Sequence, residues 1–103
     1  MRFEVETGQE YDIRFQYKTS LDLTVTTCVI SFVNPTIKSG PEKYHELMRG
    51  TAQQSFRDTF NKDVGRRVAL ARAVSILPKK NRKLAWEAYL NRSAKSARLL
   101  ARS

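Results

Sequence analysis

The chain has 103 residues, 41% apolar and 28% charged, the length and balance of one small globular domain spanning residues 1–103. Nineteen Lys and Arg against ten Asp and Glu leave a formal net charge of +9, which points to a polyanionic partner. A single cysteine excludes an internal disulfide and a thiol-built zinc site, and no apolar run is long enough for a membrane span or a secretory signal, so a cytoplasmic protein without a membrane partner is expected.

Taken in chain order, Met1 to Glu6 sets Phe3 and Val5 against Arg2, Glu4 and Glu6, a short strand, and Thr7-Gly8-Gln9 supplies a turn. From Tyr11 to Lys18 apolar and polar residues alternate without error, so Tyr11, Ile13, Phe15 and Tyr17 share one face of a second strand. Leu23 to Val33 is dense in β-branched residues and reads as a long central strand with both faces partly covered. Asn34-Pro35 and Ser39-Gly40-Pro41 bracket a loop. Tyr44 to Ser55 admits two readings: a helix with Tyr44, Leu47, Met48 and Thr51 in register, or a fourth strand with Tyr44, Met48, Gly50 and Ala52 on one face. Gly50 weakens a helix by about 1 kcal/mol, which tips the choice to the strand.

Asn61 is a good N-cap, with Asp63 in the first turn of a helix that runs through Leu77 and stops at Pro78. Its large apolar residues fall on two sides, Leu70, Val74 and Leu77 on one and Val64 and Val68 on the other, so it is the central helix. Leu84, Ala85, Ala88 and Tyr89 give Lys79 to Arg92 an apolar stripe, and the serine-containing residues 93–103 continue that second helix. The fold class is therefore α+β: an antiparallel sheet of three or four strands from residues 1–55, followed by two C-terminal helices packed on one face, with residues 61–103 as the basic helical part. Phe15, Val25, Leu70 and Val74 are placed in the core.

The charge divides unevenly. Residues 1–60 carry seven basic side chains against eight acids, whereas residues 61–103 carry twelve against only Asp63 and Glu87, a net of +10. Solubility alone would spread charge over the whole surface. The candidate binding residues are accordingly Arg66, Arg67, Arg72, Lys79, Lys80, Arg82, Lys83 and Arg92, with Trp86 and Tyr89 either core residues or stacking surfaces for bases. The four cations at positions 79, 80, 82 and 83 stand in the first turn of a helix, where they oppose the macrodipole and invite an anion. The competing reading is a solvated basic face. No enzyme, metal or cofactor is expected: His45 and Cys28 lack partners at catalytic or ligand spacing, and Gly65-Arg66-Arg67 is one glycine within a helix, suited to close helix-to-sheet packing. The acids at Glu4, Glu6, Glu10, Asp12 and Asp22 read as solubilising strand positions, and Asp58 as a brace for the first helix.

The run Asp58-Thr59-Phe60-Asn61-Lys62-Asp63-Val64-Gly65-Arg66-Arg67-Val68-Ala69-Leu70-Ala71-Arg72-Ala73-Val74 resembles one found in small uncharacterised phage and prophage proteins. The resemblance implies a short sheet followed by helices and a phage origin, and it brings no catalytic residues. A fainter similarity is to double-stranded-RNA-binding domains, from which the chain departs by lacking their N-terminal helix and by placing Lys62-Asp63 where they carry Lys-Lys. Three function classes follow: a binder of DNA or RNA, an anti-CRISPR-type inhibitor that docks on a host nucleic-acid-processing protein, and an assembly factor that forms homo-oligomers.

Overall fold

The computed structural model describes residues 1–55 and 61–91 in full and carries the last helix onward as backbone to Arg102. Four strands, β1 (Arg2–Glu4), β2 (Glu10–Thr19), β3 (Leu23–Val33) and β4 (Tyr44–Ser55), form one antiparallel sheet in the order β1-β2-β3-β4. Two helices follow, α1 (Lys62–Ala73) and α2 (Lys79–Arg102). The fold is thus α+β, with four strands rather than three, and Tyr44 to Ser55 is the fourth. Gly8, at φ 85°, makes the turn between β1 and β2, donating its amide to the Val5 carbonyl at 2.9 Å.

Both helices cover the same face of the sheet. On that face β2 contributes Tyr11, Ile13, Phe15 and Tyr17, as alternation requires, and β3 contributes Thr26, Cys28 and Ile30 opposite Ala52, Gly50 and Met48 of β4. Gly50 and Gly65 let α1 sit directly on the sheet: a Cβ at Gly50 would overlap the Ala69 carbonyl and the Ala73 amide, and one at Gly65 would stand 2.8 Å from Thr26 Oγ1. Ile13, Cys28, Ile30, Leu70, Val74 and Ala85 are fully buried between the layers, and Tyr89 of α2 closes the core against Phe15 with ring centroids 6.0 Å apart.

Four details differ from the sequence reading. Tyr44 does not share a face with Met48. Glu46 pairs with Ser31 and Met48 with Ile30, so Leu47 is an extra residue, and this β-bulge turns Tyr44 to the helix-free face. Val25 lies on that same face, opposite Gln53, and is only partly buried; it is not core. The first helix ends at Ala73 rather than Leu77, because Pro78 has no amide to donate to the Val74 carbonyl. Leu77 donates instead, at 2.9 Å, closing a 3-10 turn over Val74–Ile76. Finally, β1 is only the three residues Arg2–Glu4, far shorter than the ten of β2.

Candidate functional site

How each helix presents its cations follows from its cap and its buried face. Asn61 caps α1, its Oδ1 accepting from the amides of Asp63 and Val64 at 3.0 and 3.2 Å, and Gln54 of β4 ties down the cap by donating to the Asn61 carbonyl at 3.3 Å. The buried face of α1 is then Gly65, Ala69, Leu70 and Ala73. Arg66, Arg67 and Arg72 fan around the helix about 100° or more apart, so they do not form one surface. Arg67 pairs with Asp63 one turn back at 3.0 Å, and Arg72 reaches over the sheet to donate to the Thr51 carbonyl of β4 at 2.6 Å. Arg66 turns the other way, toward β2 and Tyr89, and its Nε is buried with no hydrogen-bond partner.

The start of α2 is different. Pro78 accepts the first helical bond, from the Arg82 amide at 3.0 Å, and proline offers no side-chain oxygen to cap the turn that follows. That turn contains no acid. Lys79, Lys80, Arg82 and Lys83 all point into solvent. Lys80 approaches Glu6 at 3.6 Å with both side chains 82% exposed, a separation and exposure at which an ion pair is weak. A shallow cleft of about 380 Å³ runs from Glu4, Val5 and Glu6 to Lys80, Asn81, Lys83 and Leu84, so the N-terminal acids flank part of the basic turn. Lys79, Arg82 and Lys83 have no carboxylate partner among the described residues.

Trp86 is half-buried against the core, its ring edge-on to Tyr89 at 6.1 Å, and Tyr89 is buried outright. Tyr89 donates its hydroxyl to Asp63, joining α2 to α1, and burial, with that bond second, pushes its pKa above the usual phenol range. It serves the core rather than a base. The side chain of Arg92, and Asp58 as a brace for α1, lie outside the described residues.

On the helix-free face of the sheet the three arginines are matched, and Lys18 is not. Arg2 pairs with Glu10 at 3.3 Å, Arg14 with Asp12 at 2.7 Å and Arg49 with Glu46. The Arg14 guanidinium lies 4.1 Å from the centre of the Tyr44 ring, and Arg2 donates to the Tyr44 hydroxyl at 2.9 Å. Sequence reasoning missed a second basic region, at the outer edge of β2. There a cleft of about 430 Å³ is lined by Ile13, Phe15 and Tyr17 together with Lys62 and Arg66 of α1. The Lys62 ammonium stands 4.7 Å from the centre of the Tyr17 ring.

Burial pushes the Cys28 thiol up to about 12, so the one cysteine is not a thiolate nucleophile at neutral pH. Among the described residues no three His, Cys, Asp or Glu side chains come together, and no helix is long and apolar enough to cross a membrane. No protein-family model, no curated protein and no solved structure matches the chain.

Proposed function

We propose that this chain is a binding protein without catalytic activity that engages nucleic acid, free or within a nucleoprotein, through the cations of its helical layer. One observation carries the reading: Arg2, Arg14 and Arg49 on the sheet's outer face each meet a carboxylate, leaving Lys18 alone there, whereas the first turn of α2 crowds Lys79, Arg82 and Lys83 together without a carboxylate partner among the described residues. Cations in that turn oppose the helix dipole, and a phosphate placed there relieves both the mutual repulsion and the unfilled amides of the turn. Arg67 and Arg72 are weaker candidates, each already engaged within the fold. Contact of this kind reads phosphates, so it has little sequence preference. The likeness of residues 58–74 to phage proteins suggests a bacterial cytoplasm as the setting.

Fluorescence anisotropy with labelled duplex and single-stranded oligonucleotides tests the proposal. The parent protein is expected to bind with a steep salt dependence, its logarithmic slope growing by roughly 0.9 for every duplex phosphate it neutralises. The combined change Lys79→Glu, Lys80→Glu, Arg82→Glu and Lys83→Glu is expected to abolish binding while the circular dichroism spectrum stays as in the parent and the melting temperature does not fall. A parent protein that shifts no oligonucleotide at low salt refutes the reading, and capture of a host nucleic-acid enzyme after nuclease treatment would replace it with inhibition by protein contact.

A further inference from the structure

We propose that the outer edge of β2 is a docking site where an extended acidic segment of a partner protein adds to the sheet as a fifth strand. The site is separate from the basic turn of α2 and does not depend on the nucleic-acid reading.

Among the described residues β1 covers only part of this edge. The register of β1 against β2 covers only Glu10, Tyr11 and Asp12, and Met1 and Ile13 exchange the last pair of backbone bonds, at 2.7 and 3.2 Å. Strand geometry repeats every two residues, so Phe15, Tyr17 and Thr19 turn their amides and carbonyls to the same outer side as Ile13. Among the described residues no strand pairs with them there. A row of alternating donors and acceptors is the complement of an extended peptide. A nucleic-acid backbone, which offers acceptors alone, leaves the carbonyls of that row unpaired.

The cleft along this edge says which peptide. On the helix side its wall is Lys62 and Arg66, one turn apart on α1 and hence about 5 to 6 Å apart at their Cβ atoms. Residues two apart on an added strand are spaced about 6.6 to 6.8 Å on one face, close enough for two acidic side chains to meet both cations. The Lys62 ammonium and the Arg66 guanidinium in the cleft wall offer charge-assisted bonds to such carboxylates, and the Tyr17 ring beneath Lys62 gives the strand an apolar bed. Self-pairing is disfavoured by charge: a second copy docked antiparallel about Gln16 sets Arg14 opposite the copy's lysine at position 18. The occupant is therefore a different, acidic chain.

The experiment uses the full chain and a fluorescein-labelled eight-residue peptide of alternating threonine and glutamate. Binding is expected, with at least about a tenfold loss for the threonine–glutamine counterpart and a similar loss for Arg66→Gln. Two N-methylated forms of the same peptide carry the decisive comparison, because they leave the protein untouched: methyl groups on one alternate set of amides abolish binding, and on the other set spare it. Equal binding of the two methylated peptides overturns the proposal, as does an oligonucleotide, rather than the peptide, shifting the Phe15 and Tyr17 amides in an NMR titration. Sedimentation showing a dimer that the peptide dissociates would reassign the edge to self-association and equally overturn it.

Discussion

Gly50 and Gly65 set the distance between the layers, but their surroundings differ, and so should their substitutions. Gly50→Ala drives a methyl into the backbone of α1, which cannot yield locally, so a loss above about 3 kcal/mol is expected, at the severe end of overpacking. Gly65→Ala meets side-chain oxygens of Thr26 and Gln54 at 2.8 and 3.1 Å and gains about 1 kcal/mol of helix propensity, so its net cost should stay near 1 to 2 kcal/mol. Urea unfolding that ranks Gly65→Ala as the more damaging change would contradict this packing. The sequence signals Gly65 as a close-packing glycine, because an unforced glycine in a helix asks for a reason. It signals Gly50 only as an argument against a helix, since the backbone it meets is nineteen or more residues away in the chain. Cys28 adds a pH dependence. Its thiol is held near 12 in the fold against 9.0 when free, so between those values the unfolded chain loses a proton that the native one keeps. Stability should therefore fall as pH rises through that window. The difference in stability between the parent and Cys28→Ala, followed from pH 8 to 11, should shrink with pH; a constant difference would mean that the thiol is not buried.

At the scale of elements, the joint between α1 and α2 rests on one polar contact set among apolar ones. Tyr89 reaches Asp63 across the helices, and Asp63 also holds Arg67, so the carboxylate anchors both. Tyr89→Phe keeps the ring on Phe15 and Trp86 and removes only the hydroxyl. A loss of about 1.5 to 3 kcal/mol is expected, typical of a hydrogen bond to a charged group, and hydrogen exchange should quicken in α2 more than in β3. Uniform quickening over the molecule would show that the joint is not local. Most elements were legible because each announces itself within a few residues: alternation in Tyr11 to Lys18, the Asn61 cap, the stop at Pro78. What was not legible is relational. The bulge at Leu47 flips Tyr44 through pairing with β3, and Val25 alternates correctly yet faces the side no helix covers.

Across the whole molecule, charge is sorted by layer. Arg2, Arg14 and Arg49 on the sheet each meet a carboxylate, while the helical layer gathers its cations with few acids, and the first turn of α2 concentrates them against a helix dipole of the same sign. The sequence shows this imbalance between its two parts, and helical periodicity alone sets Arg66, Arg67 and Arg72 about 100° or more apart, but which of them the fold engages depends on which side of α1 the sheet buries. Such a layout makes the fold's stability respond to salt in a definite direction. If the paired charges of the sheet dominated, screening would weaken them and salt would destabilise the protein. With a net charge of +9 and the excess crowded into one layer, repulsion within roughly one Debye length, about 10 Å at 0.1 M, is the larger effect, and screening should stabilise. The melting temperature is expected to rise by several degrees between low and about 0.5 M sodium chloride, since about 1 kcal/mol corresponds to roughly 4 to 8 °C in a domain of this size. Chloride is the anion of choice because sulfate would add a general burial effect of its own. The variant combining Lys79→Glu, Arg82→Glu and Lys83→Glu should melt higher than the parent at low salt and respond less to added salt. A parent protein whose melting temperature falls on adding salt, with the variant following it in parallel, would place the dominant electrostatics in the sheet and remove the stability cost attributed to the first turn of α2.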